Sequence, residues 1–388
     1  ENASVPVTHR ARDLLYLTQR PGFAVANRAS ARYSLFFSSN IFKDVFDSKT
    51  RLCRCEPGFG STFSILFYEY NSVYLLKTNL SAMKEHIEKI ALGDDYEGKA
   101  EATLVSFRSE HPTLKAVLYL HGYVDYFFQV HMARRFVDRG WNFHALDLRK
   151  YGRSMRPGQH PDYCRDMHEY YEEIDRAIDR IREQGVRRIV LIGHSTGGLL
   201  ASLYMADGAK REHIDRLILN SPFFEFNTGW FNRKIAIPLA ALWGRVRPYA
   251  SMKNELSPFY FDSVYCGAKG EWDFNLAWKP REGIPLYFAW LGAVLRGQRR
   301  LKRGLDIRVP VLVLFSARSA YGKTWSESFR SSDTVLDVED IRRYAPRLGG
   351  EIALRQIEGG LHDLVLSALP VRTRVLTVMT EWADDRHV

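Results

Sequence analysis

The 388-residue chain is poor in several things at once, and each shortage excludes something. It holds four cysteines, Cys53, Cys55, Cys164 and Cys266. Cys53 and Cys55 lie two apart with no histidine cluster beside them, so the spacing fits no structural metal module and leaves the redox compartment open. No apolar run approaches the roughly 18–20 residues of a membrane-spanning helix. No basic stretch followed by an apolar one opens the chain as a signal peptide would. It starts at Glu1 rather than methionine, so an earlier-removed leader stays open; the expected location is cytoplasmic or membrane-peripheral. Internal repeats and nucleic-acid motifs are missing. Acidic residues are outnumbered, 45 against 55 Lys plus Arg, for a net charge of +10. What is plentiful is apolar material, 46% of residues, enough to fill the core of a globular protein. Asn2-Ala3-Ser4 and Asn79-Leu80-Ser81 satisfy the glycosylation tripeptide, a pattern frequent by chance.

The densest signal is Arg187 to Gly198, RRIVLIGHSTGG. Ile189 to Ile192 form the short continuous apolar run of a strand buried on both faces. Gly193-His194-Ser195-Thr196-Gly197 then matches G-x-S-x-G, in which small neighbours allow a sharp turn that lifts a serine hydroxyl above the sheet edge. GGLLASLYMA continues as a helix. This strand–turn–helix context makes Ser195 the candidate nucleophile.

A serine needs a base, and the base an orienting acid, in the chain order serine, acid, histidine. Downstream of Ser195 the histidines are His213, His362 and His387. His213 comes too early, among charged residues, and His387 is next to the terminus. His362, in the loop GGLHD after the apolar run Ile352 to Ile357, is the candidate base. For the acid, Asp337, Glu339 and Asp340 fall at the start of an amphipathic helix, where carboxylates suit the helix dipole. Asp333 precedes that helix on a loop able to reach back to the histidine and is chosen, with Asp337 as the alternative.

Strand and helix patterns alternate from AVLYL (Ala116 to Leu120) to EIALRQIEG, so the fold class is α/β with a mostly parallel, doubly wound sheet, and the three candidates follow strand C-terminal ends. GDDYEG between two strand-like segments, His86 to Leu92 and Ala100 to Phe107, predicts a hairpin ahead of it. Residues 1–80 read as an N-terminal extension with FGSTFSILFYEY as its clear strand, 81–224 and 306–388 as the core, and 225–305 as an insertion capping the site. The insertion carries five of the eight tryptophans (Trp230, Trp243, Trp272, Trp278, Trp290) and 13 Lys and Arg against 6 Asp and Glu. The aromatics predict a lid over an apolar acyl or aryl group. The basic run Arg296 to Arg303 predicts either contact with an anionic membrane surface or a solvated face.

These residues resemble the α/β-hydrolases, in particular the branch of monoacylglycerol lipases, lysophospholipase-like esterases and serine aminopeptidases. The resemblance covers about residues 98–382 and rests on His121-Gly122-Tyr123, Asp147-Leu148-Arg149 through Gly152-Arg153-Ser154, GHSTGG, DTVLD and GGLHD. It implies an α/β-hydrolase sheet with a helical cap between late strands, and supports Asp333 and His362. In many members the acid follows its strand within a few residues, a place held here by Ser316-Ala317-Arg318-Ser319, so Asp333 comes after an inserted loop. The oxyanion hole is assigned to the backbone amide of Thr196 and, by resemblance to the HG-x pattern, that of Tyr123. His121 and His194 are expected to brace and pack, and Asp147 to fix a turn. The expected activity is cleavage of carboxylic esters such as a monoglyceride or lysophospholipid through an acyl-enzyme on Ser195, with no metal or organic cofactor and no nucleic-acid partner. An amidase or peptidase with the same triad, or a non-catalytic ligand-binding protein on this fold, is the alternative.

Overall fold

The computed structural model describes residues 83–253 and 258–385, together with the backbone of four strands nearer the N-terminus. The chain divides into two compact units, Glu1–Met83 and Lys84–Val388. In the first, β1 (Leu14–Leu17), β2 (Arg51–Arg54), β3 (Thr62–Glu69) and β4 (Ser72–Asn79) form an antiparallel sheet in the order β1-β4-β3-β2. Only β3 was legible in the sequence; the other three lie where periodicity is weak. Both glycosylation tripeptides, the side chains of Cys53 and Cys55, and His387 lie outside the described residues.

The second unit is built on an eight-stranded sheet ordered β14-β13-β10-β9-β7-β8-β6-β5. The predicted hairpin comes first, β5 (Glu85–Asp95) and β6 (Gly98–Phe107), turned at Gly98 with φ +90°. β7 (Lys115–Leu120), β8 (Asn142–Asp147), β9 (Arg188–His194), β10 (Arg216–Asn220), β13 (Val311–Ser316) and β14 (Ile352–Ile357) run parallel to one another. β7, β9, β10 and β13 are almost wholly buried, which is why they read as unbroken apolar runs rather than alternating ones. Helices α1 (Val130–Val137), α2 (Tyr171–Glu183), α3 (Thr196–Asp207), α7 (Val338–Tyr344) and α8 (Leu369–Asp384) connect and flank the strands. α2 is amphipathic, with Glu172 and Glu173 in its first turn and Arg180 and Arg182 in its last, favourable placements for the helix dipole. α3 is apolar on all sides because ten of its residues, Thr196 to Met205, are buried.

The insertion carries α4 (Ile237–Val246), α5 (Pro258–Val264), the two-residue strands β11 (Ser251–Met252) and β12 (Leu286–Tyr287), and α6 (Phe288–Arg303). Its last helix belongs to the core rather than to the cap. Trp290, Leu291, Val294 and Leu301 of α6 join the main apolar cluster, and Gly297 lets the helix approach Leu203 and Leu199 of α3. One sequence expectation for this segment is corrected. Of its five tryptophans only Trp290 lines the cavity described below. Trp272 donates to the Leu366 carbonyl, Trp278 packs edge-on against Tyr126, and Trp230 and Trp243 are exposed. In the basic run of α6 three of the five cations have acidic partners, Arg296 with Asp166, Arg300 with Asp207 and Lys302 with Glu225, while Arg299 and Arg303 are exposed. No helix among the described residues is long and apolar enough to cross a membrane.

Candidate active site

Ser195 stands at the junction of β9 and α3 with φ +53° and ψ −117°. A non-glycine residue holds such a conformation only where the surroundings over-determine it. Here they do. A Cβ on Gly193 would lie 2.4 Å from the Gly197 carbonyl oxygen, and one on Gly197 2.3 Å from that of His121. The turn closes only because those positions carry no side chain, and closing it presses the start of α3 against the end of β7. The Ser195 amide donates to the Asn220 carbonyl at 3.1 Å, and its carbonyl accepts from the Phe223 amide at 2.9 Å.

His362 reaches this hydroxyl from the loop after β14, with Nε2 3.0 Å from Ser195 Oγ and Nδ1 2.9 Å from Asp333 Oδ2. The other Asp333 oxygen, Oδ1, accepts from the Val335 and Leu336 amides, each at 2.8 Å. A wholly buried carboxylate is thus held by backbone dipoles and one imidazole. Its place after the inserted loop has a simple cause. The Asp333 amide donates to the Arg318 carbonyl at 3.0 Å and the Ala320 amide to the Asp333 carbonyl at 2.9 Å, a parallel bridge of Ser319 with Asp333. The chain leaves just beyond β13 and returns to the same spot, so Asp333 occupies the position that Ser319 reaches by the direct route. Asp337, the alternative acid, caps α7 by accepting from the Glu339 amide at 3.0 Å. Asp363, next to the histidine, accepts instead from Asn220 Nδ2 at 2.7 Å and Gln129 Nε2 at 3.1 Å, anchoring the loop.

The two expected oxyanion donors flank the serine, and Tyr123, Thr196 and Ser195 share one cavity wall. Thr196 is the first residue of α3, where a backbone amide has no acceptor within its own helix. Tyr123 opens a constrained loop whose next residue, Val124, has φ +49° and donates its amide to Asp162 at 2.6 Å. His121 braces this loop: Nε2 accepts from the Leu148 amide at 3.1 Å, so Nδ1 carries the proton donated to the Gly122 carbonyl at 2.8 Å. Burial lowers the basicity of His121 and His194 alike. Asp147 accepts from the Phe127 and Arg153 amides and from the Arg153 guanidinium, tying the same loop to the end of β8.

The cavity, about 360 Å³, is lined by Ser195 and is mostly apolar, with Phe223, Phe226, Ile237, Leu286, Trp290 and Leu336 in its walls. Three polar residues that the sequence reading missed also line it. Lys279 and Asp125 form a buried ion pair at 2.8 Å, and burial is outweighed there by the Lys279 ammonium, which keeps the Asp125 carboxyl below the usual carboxylate range. Tyr260 sets its ring edge-on to His362, with centroids 5.3 Å apart. Asp125 lay in view four residues after His121, whereas Lys279, amid the aromatic stretch LAWKP, gave no signal. Asp125, His194 and Asp363 bring one ligand-type atom each within 4.8 Å of the others. Lys279 on Asp125 and the two amides on Asp363 already compensate this cluster, so it does not fit a cation.

A mostly parallel sheet with helices on both faces, a serine on a strained strand–helix turn and a histidine from a late strand loop together define an α/β-hydrolase. Residues 111–321 match the serine aminopeptidase S33 family, and the chain belongs to it. The matched segment contains Ser195 and ends before Asp333 and His362. The AB hydrolase superfamily protein YisY of Bacillus subtilis (strain 168) is 26% identical over 222 residues, 53% of this chain and 77% of that protein. Among solved structures, a soluble variant of monoglyceride lipase from Saccharomyces cerevisiae has a TM-score of 0.55 at 16% identity, covering 77% of this chain and 96% of that one. A thermostable carboxyl esterase from Bacillus coagulans has a TM-score of 0.52 at 13% identity, covering 76% and 97%. At these identities the structures share the fold. The chain is a hydrolase.

Proposed function

We propose that the protein hydrolyses carboxylic esters of lipophilic acids, such as a monoglyceride or lysophospholipid, with Ser195, His362 and Asp333 as its triad. The observation that carries this is His362 bridging Ser195 and Asp333 in the wall of a mostly apolar cavity. In this reading Ser195 Oγ attacks the ester carbonyl carbon while its proton passes to His362 Nε2. The Thr196 and Tyr123 amides receive the oxyanion. Collapse of the tetrahedral adduct expels the alcohol, which takes the proton from His362 and leaves an acyl-enzyme on Ser195. A water then gives its proton to His362 and attacks the acyl carbon; the acid departs and Ser195 is protonated again. Asp333 keeps the Nδ1 proton in place and stabilises the imidazolium between these steps.

The family's description favours a second reading, removal of N-terminal residues from peptides. That reaction calls for a free carboxylate to receive the substrate ammonium. The carboxylate lining this cavity, Asp125, is already paired with Lys279, which weighs toward the ester. Hydrolysis of a ladder of acyl esters and matched amides separates the two: rates rising with acyl length and a strong ester preference are expected, and faster release from aminoacyl amides would reverse the reading. Ser195→Ala should fold normally, lose labelling by a serine-directed phosphonate, and lose activity by several orders of magnitude. Labelling that survives in the alanine variant would remove Ser195 from the mechanism.

A further inference from the structure

The segment from Trp230 to Val246 exposes large apolar side chains at a density found nowhere else among the described residues. Trp230 is 69% exposed, Phe231 62%, Leu239 60%, Leu242 57%, Trp243 56% and Val246 71%. Phe231, Ile235, Leu239, Leu242 and Val246 recur at intervals of three and four, so they form one stripe along α4 and the turn before it. A soluble domain seldom leaves so continuous an apolar strip in water unless something covers it. The opposite side of the same helix is fully used: Ala236, Ile237 and Ala240 line the cavity above Ser195, and Gly244 sits against the backbone of Phe288 and Ala289. One helix thickness therefore separates the outer stripe from the cavity.

Charge indicates what covers it. Residues 229–253 contain no Asp or Glu and five basic residues. Arg233 is held inward by Asp340, but Lys234, Arg245 and Arg247 are exposed and make no ion pair among the described residues. A short helix with an apolar face, two tryptophans and unpaired cations beside it has the composition of an element that lies in the headgroup layer of a bilayer. Ten residues, about 15 Å, are too few to span one.

We propose that the outer face of α4 docks on an anionic lipid bilayer, its apolar stripe seated at the acyl boundary and Lys234, Arg245 and Arg247 among the headgroups. This places the wall of the cavity on the membrane, so that a lipophilic ester enters from the lipid. The docking surface is thus α4, which carries the apolar stripe that the basic run of α6 lacks; three of that run's five cations are already paired. Docking stands independently of the catalytic reading, whereas delivery of the ester rests on it.

The full chain, with Ser195→Ala in parallel, is sedimented with phosphatidylcholine vesicles with and without phosphatidylserine. Both proteins are expected to bind, more tightly to the anionic vesicles. L239S/L242S/V246S should weaken binding by at least about tenfold, and neutralising Lys234, Arg245 and Arg247 by about fivefold per charge at low salt. None of these six residues lines the cavity, so hydrolysis of a soluble short-chain ester by each variant should match the parent and report intact folding. Three outcomes overturn the proposal: no binding by the parent to either vesicle, undiminished binding of both variants, or a dimer of the parent in sedimentation velocity that L239S/L242S/V246S dissolves, which would make a second copy the cover. If binding behaves as expected but no lipid ester is cleaved, the catalytic reading fails and the docking stands.

Discussion

At Asp333 one carboxylate oxygen serves His362 and the other is fixed by two backbone amides, so the side chain has no freedom to turn away from the imidazole. In the proposed mechanism Asp333→Asn presents an amide where the Nδ1 proton needs an acceptor, leaving the unreactive tautomer, and should lower turnover on the order of ten-thousandfold. Asp337→Asn should leave turnover near the parent value, since asparagine caps a helix as well as aspartate, while Asp337→Ala should cost about 1 kcal/mol of stability. Steady-state rates and urea midpoints of the three variants check this; the larger rate loss at Asp337 would exchange the roles. Ser195 and His362 were legible because one sits in a motif that demands its neighbours and the other was the sole histidine suitably placed after a late strand. Asp333 was less so, because nothing in the residues 320–332 announces that the chain returns to its starting point. Lys279 was invisible: a lone cation in an aromatic stretch has no periodicity to give it away, and its partner lies 154 residues earlier.

Among the elements, α6 shows why net charge read from sequence misleads. Its last two turns carry Arg296, Arg299, Arg300, Lys302 and Arg303, but carboxylates from three distant segments, Asp166, Asp207 and Glu225, converge on three of them. The pairs are partly exposed, so each contributes only about 0–1 kcal/mol. Arg300→Ala and Lys302→Ala should each lower the melting temperature by a few degrees at most and leave vesicle binding unchanged, as differential scanning calorimetry and sedimentation would show. A marked loss of binding would return the membrane contact to this helix. The strands of the central sheet, by contrast, were readable almost to the residue, since a strand buried on both faces must be apolar throughout. The apolar stripe of α4 was hidden for the converse reason: its residues look like core, and only the fold shows them facing out.

At the scale of the molecule, two buried histidines among the described residues weaken the fold in acid. Burial pushes His131 down to about 4 and His144 down to about 3, from an ordinary value of 6.5. Below about pH 6.5 the unfolded chain therefore binds protons that the folded chain refuses, and stability falls with pH by an amount on the order of a few kcal/mol before either site charges. Above that pH the contribution is fully present. Urea unfolding at a series of pH values should show the free energy declining from about pH 6.5 toward about pH 4, and a flat profile would mean that these histidines are hydrated. A last consequence lies in the ladder itself. Ser195, Asp333 and His362 stand beyond the ends of β9, β13 and β14, which are joined through β10 by three successive parallel pairings. A slip of one residue in any pairing would shift a triad member by about 3.3 Å and turn the strand's side chains to the opposite face. If the proposed triad acts, turnover is thus a gauge of strand alignment across half the sheet, and a variant whose strands slip should lose activity and melting temperature together.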